Sequence, residues 1–170
     1  VFVGTHKGVK FDIIESDFRN GSGKYQEVVF SGVIVKLDMN KNFNGHTLIK
    51  PDSMFHSSPK EGLRHTVLED TVFEGKFDVY TDDEVEARYL ITTAFMERLN
   101  NIEKVFKANR TSCAFLKNVV YIALDIRKNM FEIFDFNKPI DGAEFFVRMF
   151  EELLSIYKLI DYLELGQKTT

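Results

Sequence analysis

The sequence has very few of the residues that cross-link a chain, and it has no long apolar run. Its 170 residues include one cysteine, Cys113, three prolines and no tryptophan. A single cysteine excludes an intrachain disulfide, which favours a reducing compartment such as the cytoplasm. No apolar run reaches the roughly 18–20 residues that a membrane-spanning helix needs. The 22 basic and 26 acidic residues give a net charge of −4, which argues against nucleic acid as a partner.

The sequence motifs of common catalytic and metal sites are missing as well. There is no GxSxG elbow, no P-loop and no GxGxxG. His6, His46, His56 and His65 do not occur at the HxH, HxxxH or HExxH spacings that are typical of zinc sites. Cys113 lies in the apolar run "TSCAFL", which is typical of a buried thiol. We therefore predict no catalytic, cofactor-binding or metal-binding residues, and no cofactor.

The segment 38–45, "DMNKNFNG", has the composition of a calcium loop but not its spacing. An EF-hand needs glycine at its sixth position and a bidentate glutamate at its twelfth. Counted from Asp38, those positions hold Phe43 and Ile49, so the ligand set fails. The Asn-Gly pair at 44–45 predicts a hairpin turn instead, followed by a strand at 47–50.

The residues that are abundant predict one α+β domain over 1–170. Apolar residues alternate around Val9, Phe11 and Ile13, and a turn at 20–24 separates this strand from a second one, with Gly32 as a bulge or a point of close approach. The rest of the pattern predicts a loop at 51–63, strands near 65–70, 76–80 and 130–136, a helix at 93–107, and a hairpin around Lys117 and Asn118. The prediction is an antiparallel sheet of about seven to nine short strands, with a middle helix and a long C-terminal helix.

The C-terminal helix is predicted from one apolar face. Asp141, with Glu144 three residues later, fits an N-cap, and Gly166 fits the end of the helix. The residues predicted to line its buried face are Phe146, Met149, Phe150, Leu153, Tyr157, Ile160 and Leu163.

The acidic run in "VYTDDEVEARYL", residues 79–90, could be an acid/base site, a metal site or a helix start. Thr81 and Glu84 have the spacing of a capping box, and Asp82 and Asp83 would stabilise the positive end of the helix dipole. Glu84 and Arg88 form a favourable i, i+4 pair. Two further residues share one face and are predicted to pack inward: Val85 and Tyr89. Each polar residue has a structural role, so we interpret the run as a helix start.

The stretch Val67 to Leu99 resembles a bacterial family of unknown function, domain of unknown function 3137. The resemblance rests on the E-A-R-Y core at 86–89 and on F-M-x-R-L at 95–99, with support from "MNKNFNGHT" and "NVVYIAL". Thr71 and Thr93 stand where that family carries proline. Members commonly carry hydrophobic anchoring segments before this domain. The resemblance therefore implies the soluble part of a longer, membrane-anchored chain, cytoplasmic and at the inner face of a membrane, and it supplies no catalytic residues.

These observations lead to one main functional hypothesis and two alternatives. The main one is a non-enzymatic interaction or scaffold domain with an unknown protein partner, which meets the membrane only through segments absent from this chain. One alternative is a hydrolase that pairs His56 or His65 with a carboxylate among Asp82, Asp83 and Glu86. The other is an apolar ligand or lipid carrier, which would need a dry cavity within the phenylalanine-rich interior.

Overall fold

The structure, a computed structural model, describes residues 1–52, 62–126 and 142–165. Within these residues the strands are β1 (Phe2–His6), β2 (Val9–Asn20), β3 (Glu27–Asp38), β4 (Thr47–Pro51), β5 (Arg64–Thr66), β6 (Phe77–Thr81), β7 (Arg110–Leu116) and β8 (Val119–Asp125). The α-helices are α1 (Thr71–Glu74), α2 (Glu84–Leu90), α3 (Thr93–Phe106) and α4 (Gly142–Leu165). The predicted α+β class, with a middle helix and a long C-terminal helix, is confirmed. None of the described helices is long and apolar enough to cross a membrane.

The strands form a single antiparallel sheet in the order β1-β2-β3-β8-β7-β4-β6-β5. The predicted hairpins β2–β3 and β7–β8 are confirmed, and Lys117 takes a positive φ of 56° in the second turn. Gly32 is a point of close approach, since a Cβ there would lie 2.0 Å from the carbonyl oxygen of Leu124. The irregularity in this hairpin lies elsewhere: the register shifts between Phe18 and Arg19 of β2, opposite the extra residue Val29 of β3.

The core lies between one face of the sheet and the helices α3 and α4. Alternate strand residues such as Phe11, Val35 and Phe115 are fully buried, as the period of two requires. From α3, Phe95 packs its ring 5.4 Å from that of Phe115. From α4, Tyr157 meets Phe11 edge-on at 5.7 Å. The helices therefore cover the sheet in part through aromatic contacts.

Several sequence predictions about the elements are wrong. The strand β1 was not predicted, and all five of its residues pair with residues 9–13 of β2. The Asn-Gly pair at 44–45 does not close a hairpin, because β3 lies between β2 and β8 whereas β4 lies between β7 and β6. In α4, Phe146 and Phe150 are exposed, and the buried positions near the C-terminal end include Ile156 and Leu159. The predicted residues Ile160 and Leu163 are buried, and Leu153 and Tyr157 pack against the core, so the predicted apolar face is confirmed in the C-terminal part of α4.

Some predictions fall outside the described residues. These are most of the loop at 51–63, the strand at 130–136, and the cap and stop of α4 at Asp141 and Gly166. By contrast, Thr71 and Thr93, where the resembled family carries proline, are the first residues of α1 and α3. Proline is favoured at this position because the first helical N–H has no intrahelical acceptor. The predicted helix start near residue 93 is thus confirmed at Thr93.

Candidate functional site

The acidic run does begin a helix, but with a different cap from the one predicted. Asp83 is the N-cap of α2, and its Oδ1 accepts a hydrogen bond from the main-chain N–H of Glu86 at 2.9 Å. Thr81 is buried at the end of β6, where its hydroxyl meets that of Thr47 at 3.0 Å and accepts from the N–H of Asp83. The predicted Thr81–Glu84 capping box is therefore wrong. Thr81 is part of β6, and Asp83, two residues later, is the N-cap of α2 instead.

Two carboxylates of the run hold a distant loop in place. Oε1 of Glu86 accepts from the N–H of Asn44 at 2.8 Å, and Oε2 accepts from the N–H of Gly45 at 2.6 Å. Oδ1 of Asp82 accepts from the N–H of His46 at 2.6 Å. We call this arrangement the carboxylate clamp. It binds three successive main-chain N–H groups, so these side chains serve as acceptors rather than as an acid/base pair.

The clamp explains the glycine at position 45. A Cβ on Gly45 would lie 2.7 Å from Oδ1 of Asp82 and 2.7 Å from Cβ of Asp83. Such distances are shorter than van der Waals contact, so glycine is needed for the close approach to α2. The sequence signal at 44–45 was real, but its physical cause is the neighbouring helix rather than a two-residue hairpin. The loop and the carboxylates are about 40 residues apart in the sequence, so a local sequence pattern could not predict the clamp.

The orientation of α2 also corrects two side-chain predictions. Val85 is 81% exposed and Tyr89 is 54% exposed, so neither packs inward. The buried residues of α2 are Ala87 and Leu90. Arg88 donates to the main-chain carbonyl of Val67 at 3.0 Å instead of to Glu84. The clamp holds the first turn against the loop at 44–46, and Ala87 and Leu90 bury the opposite side of this seven-residue helix.

A groove runs beside α2, and we call it the α2 groove. It consists of two adjoining cavities open to solvent that share Lys41, Tyr89 and Leu90. The loop compartment, of about 490 Å³, adds Asn42, Phe43, Asn44, Asp83, Val85 and Glu86. The helix compartment, of about 290 Å³, adds Arg88, Thr92, Tyr162 and Leu163. The exposed side chains of Val85 and Tyr89 are thus part of a concave surface.

One wall of the helix compartment is fixed by polar contacts. The hydroxyls of Tyr162 and Thr92 are hydrogen-bonded to each other, which joins α4 to the N-cap of α3. The guanidinium of Arg98 lies 4.6 Å from the ring centroid of Tyr162, within cation–π range. At the boundary of the two compartments, the ammonium of Lys41 lies 4.9 Å from the ring centroid of Phe43.

The histidines do not gather into a metal site in the part of the chain that the structure describes. No group of three His, Cys, Asp or Glu side chains there could hold a metal ion. His6 stacks on Tyr157 at 4.3 Å, and its Nε2 lies 2.7 Å from Oδ1 of Asp161. His46 takes part in the clamp through its main-chain N–H. His56 falls outside the described residues.

The carboxylate–histidine pairing needed for the hydrolase hypothesis is not formed by His65. Its Nε2 lies 3.3 Å from Oδ1 of Asp78, on the neighbouring strand, and its ring meets Tyr80 edge-on at 5.3 Å. The pKa of the Tyr80 hydroxyl is raised, first by burial and then by the negative charge of Asp78 and Asp52. His65 lies on β5 and Asp78 and Tyr80 lie on β6, whereas the acidic run faces the loop at 44–46.

Two other candidates from the sequence have structural explanations. Cys113 is buried within β7 as predicted, and burial raises the pKa of its thiol far above the ordinary value. A thiol with a raised pKa is a poor nucleophile, because the thiolate is the reactive form. In the segment 38–45, Oδ2 of Asp38 pairs with the ammonium of Lys36 at 2.9 Å. The other end of that segment presents main-chain N–H groups, which repel a cation.

Comparison with known proteins supports the fold and names the family. The fold is similar to the crystal structure of the mycobacterial trehalose monomycolate transport factor A, TtfA, with a TM-score of 0.54. The likeness covers 95% of this chain and 69% of that chain at 12% sequence identity, so it concerns the fold alone. No curated protein matches the sequence. Residues 28–165 match the family described as "Protein of unknown function (DUF3137)", and the chain belongs to that family.

Proposed function

We propose that this chain is a non-catalytic binding domain that holds a segment of a protein partner in the α2 groove. The observation that carries the proposal is the carboxylate clamp. Three carboxylates of the acidic run, those of Asp82, Asp83 and Glu86, accept main-chain hydrogen bonds, and the surface beside them exposes Val85 and Tyr89. Exposed apolar and aromatic side chains in a concave surface are typical of sites that bind a partner.

The location of the domain is part of the same proposal. We place it in the cytoplasm, at the inner face of a membrane, held there by segments outside this chain. The single cysteine supports a reducing compartment, and the anchoring segments common in the resembled family support the membrane. Fractionation of cells that express the full-length protein tests this location. Recovery in the soluble fraction, without any membrane-bound material, would contradict it.

The binding proposal is tested by photo-crosslinking with a matched control. Val85 and Val72 are each the second residue of a helix, and their exposed fractions are 81% and 82%. A photoreactive amino acid is placed at one or the other position in the full-length protein in its own cells. We expect a discrete crosslinked partner from position 85 and not from position 72. Equal crosslinking from both positions would argue against binding of the partner in the α2 groove.

Affinity measurements then test the groove directly. With the crosslinked partner purified, Val85→Asp is expected to weaken binding roughly tenfold or more. The change loses the roughly 1.5 kcal/mol or more that burial of a valine side chain contributes, and it buries a charge. Val72→Asp should leave binding unchanged. If the two substitutions act alike, the partner does not use the α2 groove.

A second candidate function is carriage of an apolar ligand, and the fold likeness to a transport factor favours it. Fold alone is a weak guide to function. Both cavities beside α2 are open to solvent, and among the described residues the α2 groove is the site that such a carrier would use. Native mass spectrometry of the purified protein tests this function. A co-purifying lipid that Val85→Asp removes and Val72→Asp retains would favour the carrier over the protein-binding domain.

A further inference from the structure

The outer side of the C-terminal helix α4 is apolar. Three of its large side chains there are more than half exposed, namely Val147 (58%), Phe150 (65%) and Leu154 (51%). Their spacing of three and four residues places them on one side of the helix, and we call them the outer stripe. Ile156, Leu159 and Leu163 are buried on the opposite side of α4. The outer stripe therefore points away from the core.

A helix with apolar residues on two opposite sides normally packs against a neighbour on both. The core of the domain covers one side of α4, and the outer stripe is the other. Exposed apolar side chains that cluster in one patch mark an interaction site, whereas scattered ones do not. The outer stripe, continued by Tyr157, has the spacing of the a and d positions of a coiled coil. A second helix is thus the shape that fits it.

Exposed charges on one flank of the outer stripe change sign along α4. These are Glu144, Glu151 and Lys158, which recur every seven residues and so lie in one row. The row is acidic near the N-terminal end of the helix and basic near the C-terminal end. In an antiparallel pair of identical helices, each end lies beside the opposite end of the other copy. Glu144 of each copy then faces Lys158 of the other, which forms two pairs of opposite charge.

Two further acidic residues set the strength and the orientation of such a pair. Glu151 lies midway between Glu144 and Lys158, so the antiparallel arrangement brings it close to its own copy. One contact between like charges is then set against two contacts between opposite charges. A parallel pair is worse, because Asp161 continues the outer stripe one turn after Tyr157 and would meet its own copy. Within one chain Asp161 is paired with the ammonium of Lys7 at 2.8 Å.

We infer that two copies of this chain form a dimer in which the outer stripes of two antiparallel α4 helices pack on each other. Charge complementarity selects a second copy as the occupant, because the row of Glu144, Glu151 and Lys158 is complementary to itself in that orientation. The inference goes beyond the proposed function. Tyr162 and Leu163, which line the α2 groove from α4, are not in the outer stripe. The dimer therefore has two α2 grooves, and it can bind two segments of one partner at once.

Sedimentation equilibrium of the 170-residue chain over a concentration series tests the dimer. We expect the mass to rise from one chain to two, with a dissociation constant on the order of 1–100 μM, as for a small interface. Val147→Asp should weaken the dimer roughly tenfold or more, because each copy then buries a charge in the contact. Val72→Asp, at an exposed valine of α1, is the matched control and should have no effect. A chain that stays monomeric at millimolar concentration, or an equal effect of the two substitutions, would overturn the inference.

A charge exchange tests the orientation of the two helices. Glu144→Lys and Lys158→Glu should each weaken the dimer roughly threefold to tenfold, because both pairs then join like charges. The double variant restores two pairs of opposite charge, so its dissociation constant should return close to that of the unchanged chain. Glu151→Gln should strengthen the dimer roughly threefold, since it removes the contact between like charges. If the double variant does not recover, the antiparallel arrangement is excluded and the inference is overturned.

Photo-crosslinking in cells distinguishes a second copy from other occupants of the outer stripe. A photoreactive amino acid in place of Phe150 in the full-length protein should give a product of twice the protein's mass that contains this protein alone. A crosslink to a different protein or to lipid, without that product, would overturn the inference. Position 72 is again the control and should give no crosslinked dimer. In either case the crosslinking experiment at Val85 still decides the proposed function.

Discussion

Removing the side chain of Glu86 tests the central structural claim, that the carboxylate clamp is a folding device. Glu86→Ala deletes two hydrogen bonds from a carboxylate, to the N–H groups of Asn44 and Gly45 at 2.8 and 2.6 Å. Hydrogen bonds to charged groups contribute about 1.5–3 kcal/mol each. Asn44 is exposed, and its N–H can bind water instead, so the hydrogen bond from Asn44 contributes little to the free energy of unfolding. We expect a loss of about 2–3 kcal/mol in the free energy of unfolding.

The assay is urea unfolding followed by circular dichroism. With a slope of about 2 kcal/mol per molar urea, the expected loss lowers the midpoint by about 1–1.5 M. The melting temperature should fall by about 4–12 °C, because about 1 kcal/mol corresponds to about 2–4 °C for a chain of this size. Glu84→Ala is the matched control. Glu84 is exposed in the same first turn, and its loss should cost no more than about 1 kcal/mol through the helix dipole.

The reasoning would be refuted if Glu86→Ala and Glu84→Ala changed the midpoint equally. Amide hydrogen exchange gives a second, local readout. In Glu86→Ala the N–H of Gly45 should exchange faster than in Glu84→Ala, because its acceptor is gone. Unchanged exchange at Gly45 would mean that the loop at 44–46 is held by other contacts, and the acidic run would again need a functional explanation.

Three further predictions follow from other parts of the fold. Gly32→Ala should cost more than about 3 kcal/mol or prevent folding, since its Cβ would meet the carbonyl oxygen of Leu124 at 2.0 Å; soluble yield and urea unfolding measure this. The pKa of Asp161 is lowered, chiefly by its hydrogen bond with Lys7. The ionised Asp161 carboxylate therefore stabilises the fold above the unfolded-state pKa of about 3.9, and this stabilisation is lost as the pH falls through the lower pKa of the folded state. Asp161→Asn should therefore lessen the fall in stability between about pH 5 and pH 2, and an unchanged profile would contradict the ion pair. Cys113 should react with a thiol reagent at pH 8 only after the chain is unfolded in urea, because burial raises the pKa of its thiol; fast reaction of the native protein would show that β7 opens.

Local patterns in the sequence predicted the parts of the fold that depend on near neighbours. The alternation at Val9, Phe11 and Ile13 identified β2, and the helical spacing of Phe95, Leu99 and Ile102 identified α3. In both elements the side chains that share a face are two to four residues apart, so the pattern is visible within a short window. For α4 the same spacing was right at Ile160 and Leu163, which are buried, and wrong at Phe146 and Phe150, which are exposed.

The candidate site could be predicted only in part. The acidic run was correctly interpreted as the start of a helix, but the roles of its side chains differ from those predicted: Asp83 is the N-cap, and Asp82 and Glu86 bind the loop at 44–46. The N–H groups that donate to Asp82 and Glu86 were not predicted, because they lie about 40 residues earlier in the chain. The exposure of Val85 follows from the rotation of α2 about its axis. A seven-residue helix has too few apolar positions for its sequence to fix that rotation.

The Asn-Gly pair at 44–45 shows which structural features could be predicted from the sequence and which could not. By itself the sequence determined that the chain would turn there without a side chain at Gly45, that a helix would begin after Tyr80, and that the strands would pair in an antiparallel sheet. Only the tertiary structure decided that the turn closes no hairpin, that β3 and β4 are separated by β8 and β7, and that two carboxylates bind the loop beside a groove. The physical reason is that side-chain periodicity indicates which face of a helix or strand is buried. Which other element packs on that face depends on long-range packing and hydrogen bonding.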